Sequence, residues 1–296
     1  MLKAIAALTA FSLLAPALAS AHPSRSSEGI NHFRIIDRPV AGKYIGADLS
    51  VGDPINDETE GESLAFRLDI NGHFLVGPSA GLYGTLPIAT LYFTGNDALD
   101  SDSESALGAL ELGGFFVVPI GASGHTDLVL RGGLALPTAD DDLTGFAVNA
   151  LASVTGRVTD LVLVLPDAVS ARVAGSIVHD TGSLAFRIDG GIDIPVLDTD
   201  EDDLLEIESD PILRLNAGVA FGEGPTKLVF EIANLIDTND VDQDEDVITQ
   251  VAGGFTSQQG DLLVGLSASV VLDSVYEEDD GVLFAVIGSL GTTFGR

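Results

Sequence analysis

The chain has 296 residues and no cysteine, and its formal net charge at pH 7 is -32. So negative a chain argues against a nucleic-acid partner, because phosphates are bound by basic surfaces. The charge does not indicate disorder, since 46% of the residues are hydrophobic and the acidic residues are concentrated in blocks.

The first 21 residues have the features of a secretory signal peptide. Lys3 precedes an apolar run, and the small residues Ala19–Ala21 form a typical cleavage site. We therefore expect an exported protein whose mature chain starts at His22. Residues 22–39 are polar and have no clear period, which predicts a flexible N-terminal segment. Without disulfides, the exported chain must be stabilised by ordinary packing or by a closed sheet.

From residue 40 onwards, runs of about ten residues alternate between apolar and polar side chains. In Ser63–Ile70 the even positions are apolar, whereas the odd positions include Arg67 and Asp69. A period of two is typical of a β-strand with one apolar and one polar face. The same alternation recurs along the chain, for example in Ser183–Val196, and it predicts an all-β fold.

Two kinds of connection alternate between these runs. Six are long and contain 31 of the 45 acidic residues without a Lys or Arg: 53–62, 95–105, 138–143, 197–210, 236–246 and 273–280. Five are short and rich in Gly, Pro and Ser, which is typical of tight turns. Together they join twelve strands. In an up-and-down sheet, all the long acidic connections would lie at the same end.

One stretch, Gly145–Pro166, does not fit this alternation. Ala147, Leu151 and Val154 have helical spacing, which favours an amphipathic helix around 146–162. The Val-rich end of the stretch also suits a strand. A hairpin turning at Gly156 would give fourteen strands, so the sequence leaves both possibilities open.

Three features favour a membrane barrel over a soluble sandwich. They are the signal peptide, runs that match the length of a tilted barrel strand, and long connections at one end with short turns at the other. In lipid the sheet must also close, because every backbone N–H and C=O needs a partner within the protein. These features predict a single closed antiparallel up-and-down transmembrane β-barrel over residues 40–296.

With these strands and the closing strand GVLFAVIGSLGTTFGR, the sequence resembles Gram-negative outer-membrane β-barrel proteins as a class. The resemblance implies a place in the bacterial outer membrane, contact with the lipid bilayer, and acidic loops that face the outside. It also implies insertion by the outer-membrane assembly machinery, which reads a final aromatic residue in such barrels. Here Phe294 is followed by Gly295 and Arg296, which departs from that pattern.

The face of the strands that would point into the lumen carries opposed charges. The candidates for a lumen or constriction site are Arg67, Asp69, Glu111, Arg131, Arg172, Arg187, Asp189, Asp193, Arg214 and Glu231. One interpretation is a structural network of ion pairs that fills the lumen. The other is a constriction that orients a permeating polar solute, for which arginine suits carboxylate groups.

The acidic connections also offer oxygen ligands for calcium. Asp198 and Asp200 lie in one connection, and Asp237, Asp240, Asp242 and Asp244 lie in another. Neither has the glycine and terminal glutamate of an EF-hand loop. A solvated acidic rim with weak Ca²⁺ binding is therefore expected, with no tightly bound cofactor.

The sequence supports three hypotheses of function. The first is a passive, porin-like channel for small polar solutes. The second is a closed barrel with a plugged lumen and a structural or surface-interaction role. The third is a secreted acidic β-sandwich that binds calcium. The sequence pattern does not place a set of His, Ser and acidic residues close together, so an enzyme is not predicted.

Overall fold

The computed structural model describes residues 33–36, 43–53, 62–94, 101–121, 124–140, 142–166, 168–197, 211–238, 247–272 and 283–294. The strands are β1 Tyr44–Asp53, β2 Glu62–Leu75, β3 Ala80–Thr94, β4 Ser101–Leu107, β5 Glu111–Ile120, β6 Thr126–Ala135, β7 Val169–Asp180, β8 Leu184–Leu197, β9 Ile212–Phe221, β10 Thr226–Asp237, β11 Val247–Gln259, β12 Leu262–Leu272 and β13 Phe284–Thr293. Helix α1 is Leu143–Gly156, and a 3-10 helix, Val158–Val164, follows it.

Twelve of these strands form a closed antiparallel barrel, as the sequence predicts. Each strand of the ring pairs with its neighbours in sequence, except that β3 pairs with both β4 and β5. The ring closes between β1 and β13, in a register from Tyr44 opposite Thr293 to Asp53 opposite Phe284. Closure gives the edge strands partners, which an apolar outer surface requires.

Strand β4 is not part of this closed ring. It pairs with the end of β3 from Ile88 to Thr94, whereas β5 pairs with the same edge of β3 from Ala80 to Thr85. The sequence predicts an acidic connection over 95–105, and β4 begins within that range. Its sequence, SDSESAL, has no apolar alternation, so its pairing depends on backbone hydrogen bonds that the side-chain pattern does not reveal.

The outer face of the barrel is apolar. Leu64 and Ile70 on β2 are exposed, while Arg67 and Asp69 between them are buried, as the alternation predicts. Large apolar side chains are exposed in the same way on the other strands of the ring except β6, where Leu128, Leu130 and Leu134 are half-buried. A sheet that turns its apolar side outwards and its polar side inwards has the arrangement of a membrane barrel.

The interior is filled by the connection between β6 and β7. We call Leu143–Val164, which comprises α1 and the 3-10 helix, the plug. Asp142 caps α1 by accepting a hydrogen bond from the backbone N–H of Gly145. The helical alternative is therefore confirmed, and the hairpin that would give fourteen strands is excluded.

The buried face of α1 differs from the predicted stripe. Ala147 is exposed and Leu151 is half-buried, whereas Asn149 and Ser153 are buried with Val148. The helix lies inside a barrel whose wall is itself polar on the inner face, so the simple apolar stripe of a surface helix does not apply.

A second part of the chain also lies inside the barrel. Phe33–Ile36, which we call the lumen segment, is buried against the inner wall and against Val158 of the plug. It belongs to the segment predicted to be flexible, 22–39, whose other residues lie outside the described part of the chain. The predicted signal peptide also lies outside it. In the described residues, neither helix is long and apolar enough to cross a membrane.

A charge at the middle of the outer face should destabilise the barrel. Leu266 lies near the middle of β12 and is exposed among other apolar side chains. We expect Leu266→Arg to lower the free energy of unfolding in lipid vesicles by about 2–4 kcal/mol, whereas Leu262→Arg at the end of the strand should cost about 0–1 kcal/mol. Heat-modifiable gel migration across a urea series measures both. Equal effects at the two positions would contradict a lipid-facing strip.

Candidate functional site: the charged interior of the barrel

The ten charged residues that the alternation assigns to the inner face are all buried. They are Arg67 and Asp69 on β2, Glu111 on β5, Arg131 on β6, Arg172 on β7, Arg187, Asp189 and Asp193 on β8, Arg214 on β9 and Glu231 on β10. Burying a charge is costly unless a partner of opposite charge or several hydrogen bonds compensate it. The partners of these groups therefore determine what the interior can do.

The main cluster is centred on Asp160 in the 3-10 helix of the plug. One of its carboxylate oxygens lies 3.1 Å from Nη2 of Arg67 and 3.3 Å from Nη1 of Arg157. The other lies 3.4 Å from Nη1 of Arg172. Because β2 and β7 are separated by β3, β5 and β6 around the ring, this single carboxylate attaches the plug to two distant parts of the wall.

Arg67 also binds the other helix of the plug. Its guanidinium donates to the hydroxyl of Ser153 in α1, and its Nε lies 2.9 Å from Asp69 on the same strand. The end of α1 can lie close to the wall because α1 ends in a glycine. A Cβ on Gly156 would lie 2.5 Å from the hydroxyl oxygen of Ser50 on β1.

Arg172 connects the plug with a second group of wall acids. Its Nη1 lies 2.6 Å from Glu111, and its Nε lies 3.2 Å from Asp193. It also donates to the backbone carbonyl of Thr159 in the plug at 2.7 Å. Asp193 in turn lies 2.7 Å from Nη2 of Arg214, so the network continues along the wall from β5 to β9.

The other inward-facing candidates include Arg187, Asp189 and Arg131. Arg187 pairs with Asp189 at 2.6 Å and donates to Ser176 at 3.0 Å, so this pair is held within the wall. Arg131 lines a cavity of about 20 Å³ together with Arg157 and Asp160. That volume is close to what one water molecule requires.

Glu231 binds the lumen segment instead of an arginine of the wall. Its carboxylate accepts hydrogen bonds from the backbone N–H groups of Arg34 and Ile35, each at 2.8 Å, and from that of Ile36 at 3.2 Å. Backbone donors thus compensate the buried carboxylate.

Sequence reasoning missed several residues of this network. Arg157 and Asp160 were not among the candidates, although they are the two charged residues of an otherwise uncharged stretch from Leu143 to Pro166. That isolated pair is the signal that could have identified them. Tyr83, whose hydroxyl donates to Glu111 at 2.7 Å, and Arg34 carried no comparable signal.

The calcium candidates are not tested by this geometry. Asp237 is the last residue of β10, and Asp198, Asp200, Asp240, Asp242 and Asp244 lie outside the described residues. Within the described ranges, no three His, Asp or Glu side chains form a group that could hold a metal ion.

Comparison with known proteins identifies solved structures with a similar fold. No protein-family model and no curated protein sequence matches the chain. An outer-membrane channel from Pseudomonas putida F1 aligns with 88% of this chain and 98% of its own, at 12% identity and a TM-score of 0.56. The fold is that of Gram-negative outer-membrane β-barrel proteins.

Two further structures are similar at lower scores. The transport unit of the autotransporter AIDA-I from Escherichia coli aligns with 89% of this chain and 93% of its own, at 7% identity and a TM-score of 0.48. The KdgM porin aligns with 85% of this chain and 99% of its own, at 8% identity and a TM-score of 0.45. At such identities the likeness concerns the fold alone.

Removing the charge of Asp160 should destabilise the plugged barrel. We expect Asp160→Asn to lower the free energy of unfolding by about 3–5 kcal/mol, because buried arginines on the wall and the plug lose a common partner. Asp142→Asn is the matched control in the same insertion, since asparagine caps a helix as well as aspartate does. Urea unfolding in lipid vesicles measures both, and equal stabilities would contradict the central role of Asp160.

A double-mutant cycle tests the contact itself. Arg67→Met and Asp160→Asn remove the same ion pair, so their effects should not add, with a coupling of about 0.5–3 kcal/mol. Arg187→Met, which breaks a pair inside the wall, should add to Asp160→Asn within about 0.5 kcal/mol.

Proposed function

We propose that the protein is an outer-membrane channel for small polar solutes whose lumen is closed by a displaceable plug. The observation that carries this proposal is the way the plug is attached. It forms no strand of the sheet, and buried ion pairs from Asp160 to Arg67 and Arg172 contribute to its contact with the wall. Buried ion pairs add little net stability compared with apolar packing, and their best-attested role is in switches and registry.

The wall does not need the plug for its own closure. β6 and β7 pair directly over ten residues, up to Ala135 opposite Ser170. The plug lies between the ends of these two paired strands in sequence. It can therefore leave the lumen without breaking a backbone hydrogen bond of the ring.

Displacement of the plug would uncover arginines. Arg67 would lose Ser153 and Asp160, and Arg172 would lose Asp160 and the carbonyl of Thr159. Both would still face acids of the wall, Asp69 and Glu111 among them. A path lined by opposed charges suits a small polar solute, and free guanidinium donors favour one that carries a carboxylate.

The proposal includes the placement of the chain in the membrane. The apolar outer face would contact the lipid bilayer of the outer membrane, into which the assembly machinery would insert the barrel. The long acidic connections would face the outside of the cell as a solvated rim that binds Ca²⁺ weakly. The apolar exterior of the strands supports contact with lipid.

A second function is favoured by a different observation. The plug is also packed through apolar side chains, with Val148 and Ala152 against Ala65, Ala89 and Leu91 of the wall. Such packing suits a permanently closed barrel that has a structural or surface-interaction role. The two proposals differ in whether the intact protein opens.

Planar bilayers distinguish these functions. We propose a variant in which residues 136–168 are replaced by a short Gly-Ser turn, which the direct pairing of Ala135 with Ser170 allows. If the plug is displaceable, channels of this variant should stay open and give a sustained current. Channels of the intact protein should open only briefly. It also predicts a larger open fraction for Asp160→Asn than for Asp142→Asn.

Each outcome has a defined meaning when insertion of the barrel has been verified by heat-modifiable migration. If the intact protein is silent at all voltages while the shortened variant conducts, the barrel is permanently closed. If the shortened variant is silent as well, the channel proposal is wrong.

A further inference from the structure

We propose that the inner wall around Glu231 is a binding site for a short, bent peptide segment, and that Phe33–Ile36 is the ligand it holds in this structure. The ligand class is a peptide with free successive amides and the order aromatic, arginine, aliphatic, aliphatic. The site is defined by binding, so it does not depend on whether the barrel conducts.

The wall recognises the peptide backbone through one carboxylate. Glu231 accepts from three successive amides, those of Arg34, Ile35 and Ile36, at 2.8–3.2 Å. Such charge-assisted bonds do not depend on the side chains of the ligand, but they require an N–H at each position. Proline or an N-methylated residue would remove a donor.

The plug recognises the carbonyl side of the same backbone. The hydroxyl of Thr159 donates to the carbonyl of Ile35 at 3.1 Å, and Nη2 of Arg157 donates to that of Ile36 at 3.3 Å. The lumen segment thus lies between wall and plug, with its N–H groups and carbonyls bound from different sides. Occupancy of the site therefore adds to the contacts that keep the plug in place.

Two inward-facing glycines make room for the side chains. A Cβ on Gly218 of β9 would lie 2.6 Å from the ring of Phe33, and one on Gly265 of β12 would lie 2.5 Å from the guanidinium of Arg34. Arg34 also donates to the hydroxyl of Thr256 at 3.0 Å. The wall is shaped for an aromatic side chain followed by an arginine.

The covalent link of the lumen segment to the barrel affects how the site must be tested. A short tether keeps its ligand at an effective concentration of the order of millimolar, so a free peptide competes poorly with it. The site must therefore be examined in two ways, by releasing the attached ligand and by replacing it.

Release can be followed with a single cysteine, because the chain contains none. Ile35 is fully buried, so Ile35→Cys should react slowly with a water-soluble maleimide in the folded barrel. Adding Gly218→Val should accelerate labelling by about tenfold or more, because the valine occupies the place of Phe33. Gly288→Val is the control, since a Cβ there meets no atom closer than 3.9 Å. Fast labelling without Gly218→Val, or equal labelling with both valines, would overturn the proposal.

Replacement uses a barrel in which Phe33, Arg34, Ile35 and Ile36 are changed to Gly, Ser, Gly and Ser. The probe is a fluorescent peptide, Gly-Ser-Phe-Arg-Ile-Ile-Gly-Ser with blocked ends, and the measurement is fluorescence anisotropy in detergent. We expect saturable binding that is weakened about tenfold or more by Gly218→Val, by Glu231→Gln and by N-methylation of the Ile-Ile amides. Gly288→Val should leave it unchanged.

The result against the proposal is equally specific. Failure of the correctly migrating barrel to bind the peptide, or binding that none of these changes weakens, means that the wall is not a peptide site. If the replaced barrel does not fold, the cysteine experiment in the otherwise native chain decides. Silent bilayers with specific peptide binding would refute the channel proposal and leave this one intact.

Discussion

The pairing of β1 with β13 is the constraint on which the rest of the structure depends. A sheet with an apolar outer face can exist in lipid only if its backbone N–H and C=O groups are paired within the protein. The antiparallel register from Tyr44 opposite Thr293 to Asp53 opposite Phe284 meets that requirement. Once the ring is closed and its apolar side faces outwards, every second residue of each strand points to an enclosed interior.

The barrel is polar inside and apolar outside, which is the reverse of a soluble globular protein. The inner face holds arginines and carboxylates that a soluble protein would expose to water, so each needs a partner in an enclosed space. Part of the pairing is within the wall, as between Arg187 and Asp189. The rest depends on the plug, where Asp160 serves arginines from β2 and β7. The buried arginines of the wall thus need a partner of opposite charge, and the plug supplies one.

Much of the fold could be predicted because it follows from local patterns. The alternation in Ser63–Ile70 identifies which side chains face inwards, and the two classes of connection give twelve strands. Helical spacing in Gly145–Pro166 indicated the plug helix, although it did not exclude a hairpin. Strand β4 was missed because its residues are mostly polar and its pairing is made by the backbone.

The site was less predictable because it depends on contacts between distant parts of the chain. The candidate arginines were identified as inward-facing, but their partner Asp160 lies in another element. Nothing in the polar stretch 22–39 indicated that Phe33–Ile36 would be buried, since its partner Glu231 is almost 200 residues away. Periodicity reports on the face of one strand, whereas the content of the lumen depends on which elements fold into it.

The sizes of the inner side chains provide information that their polarity does not. Where the plug packs, the wall presents small residues such as Ala65 on β2 and Ala89 on β3. Where the lumen segment packs, the wall presents Gly218 and Gly265. A Cβ at either position would collide with the segment. Complementary shapes stabilise a protein only where atoms are in van der Waals contact. A wall that evolved to line a wide, permanently open pore would gain no stability from them.

Aromatic side chains of the wall fill another part of the interior. Tyr44 stacks on His73 with ring centroids 5.3 Å apart, and His73 meets the edge of Phe115 at 6.0 Å. These rings lie over inward glycines, with Tyr44 above Gly291 and Phe115 above Gly81. The wall thus fills this part of its own interior, and it leaves room for other elements where its residues are small. We infer that an inward glycine marks a place where another side chain fills the lumen, either an aromatic ring of the wall itself, as at Gly291 and Gly81, or another part of the chain, as at Gly218.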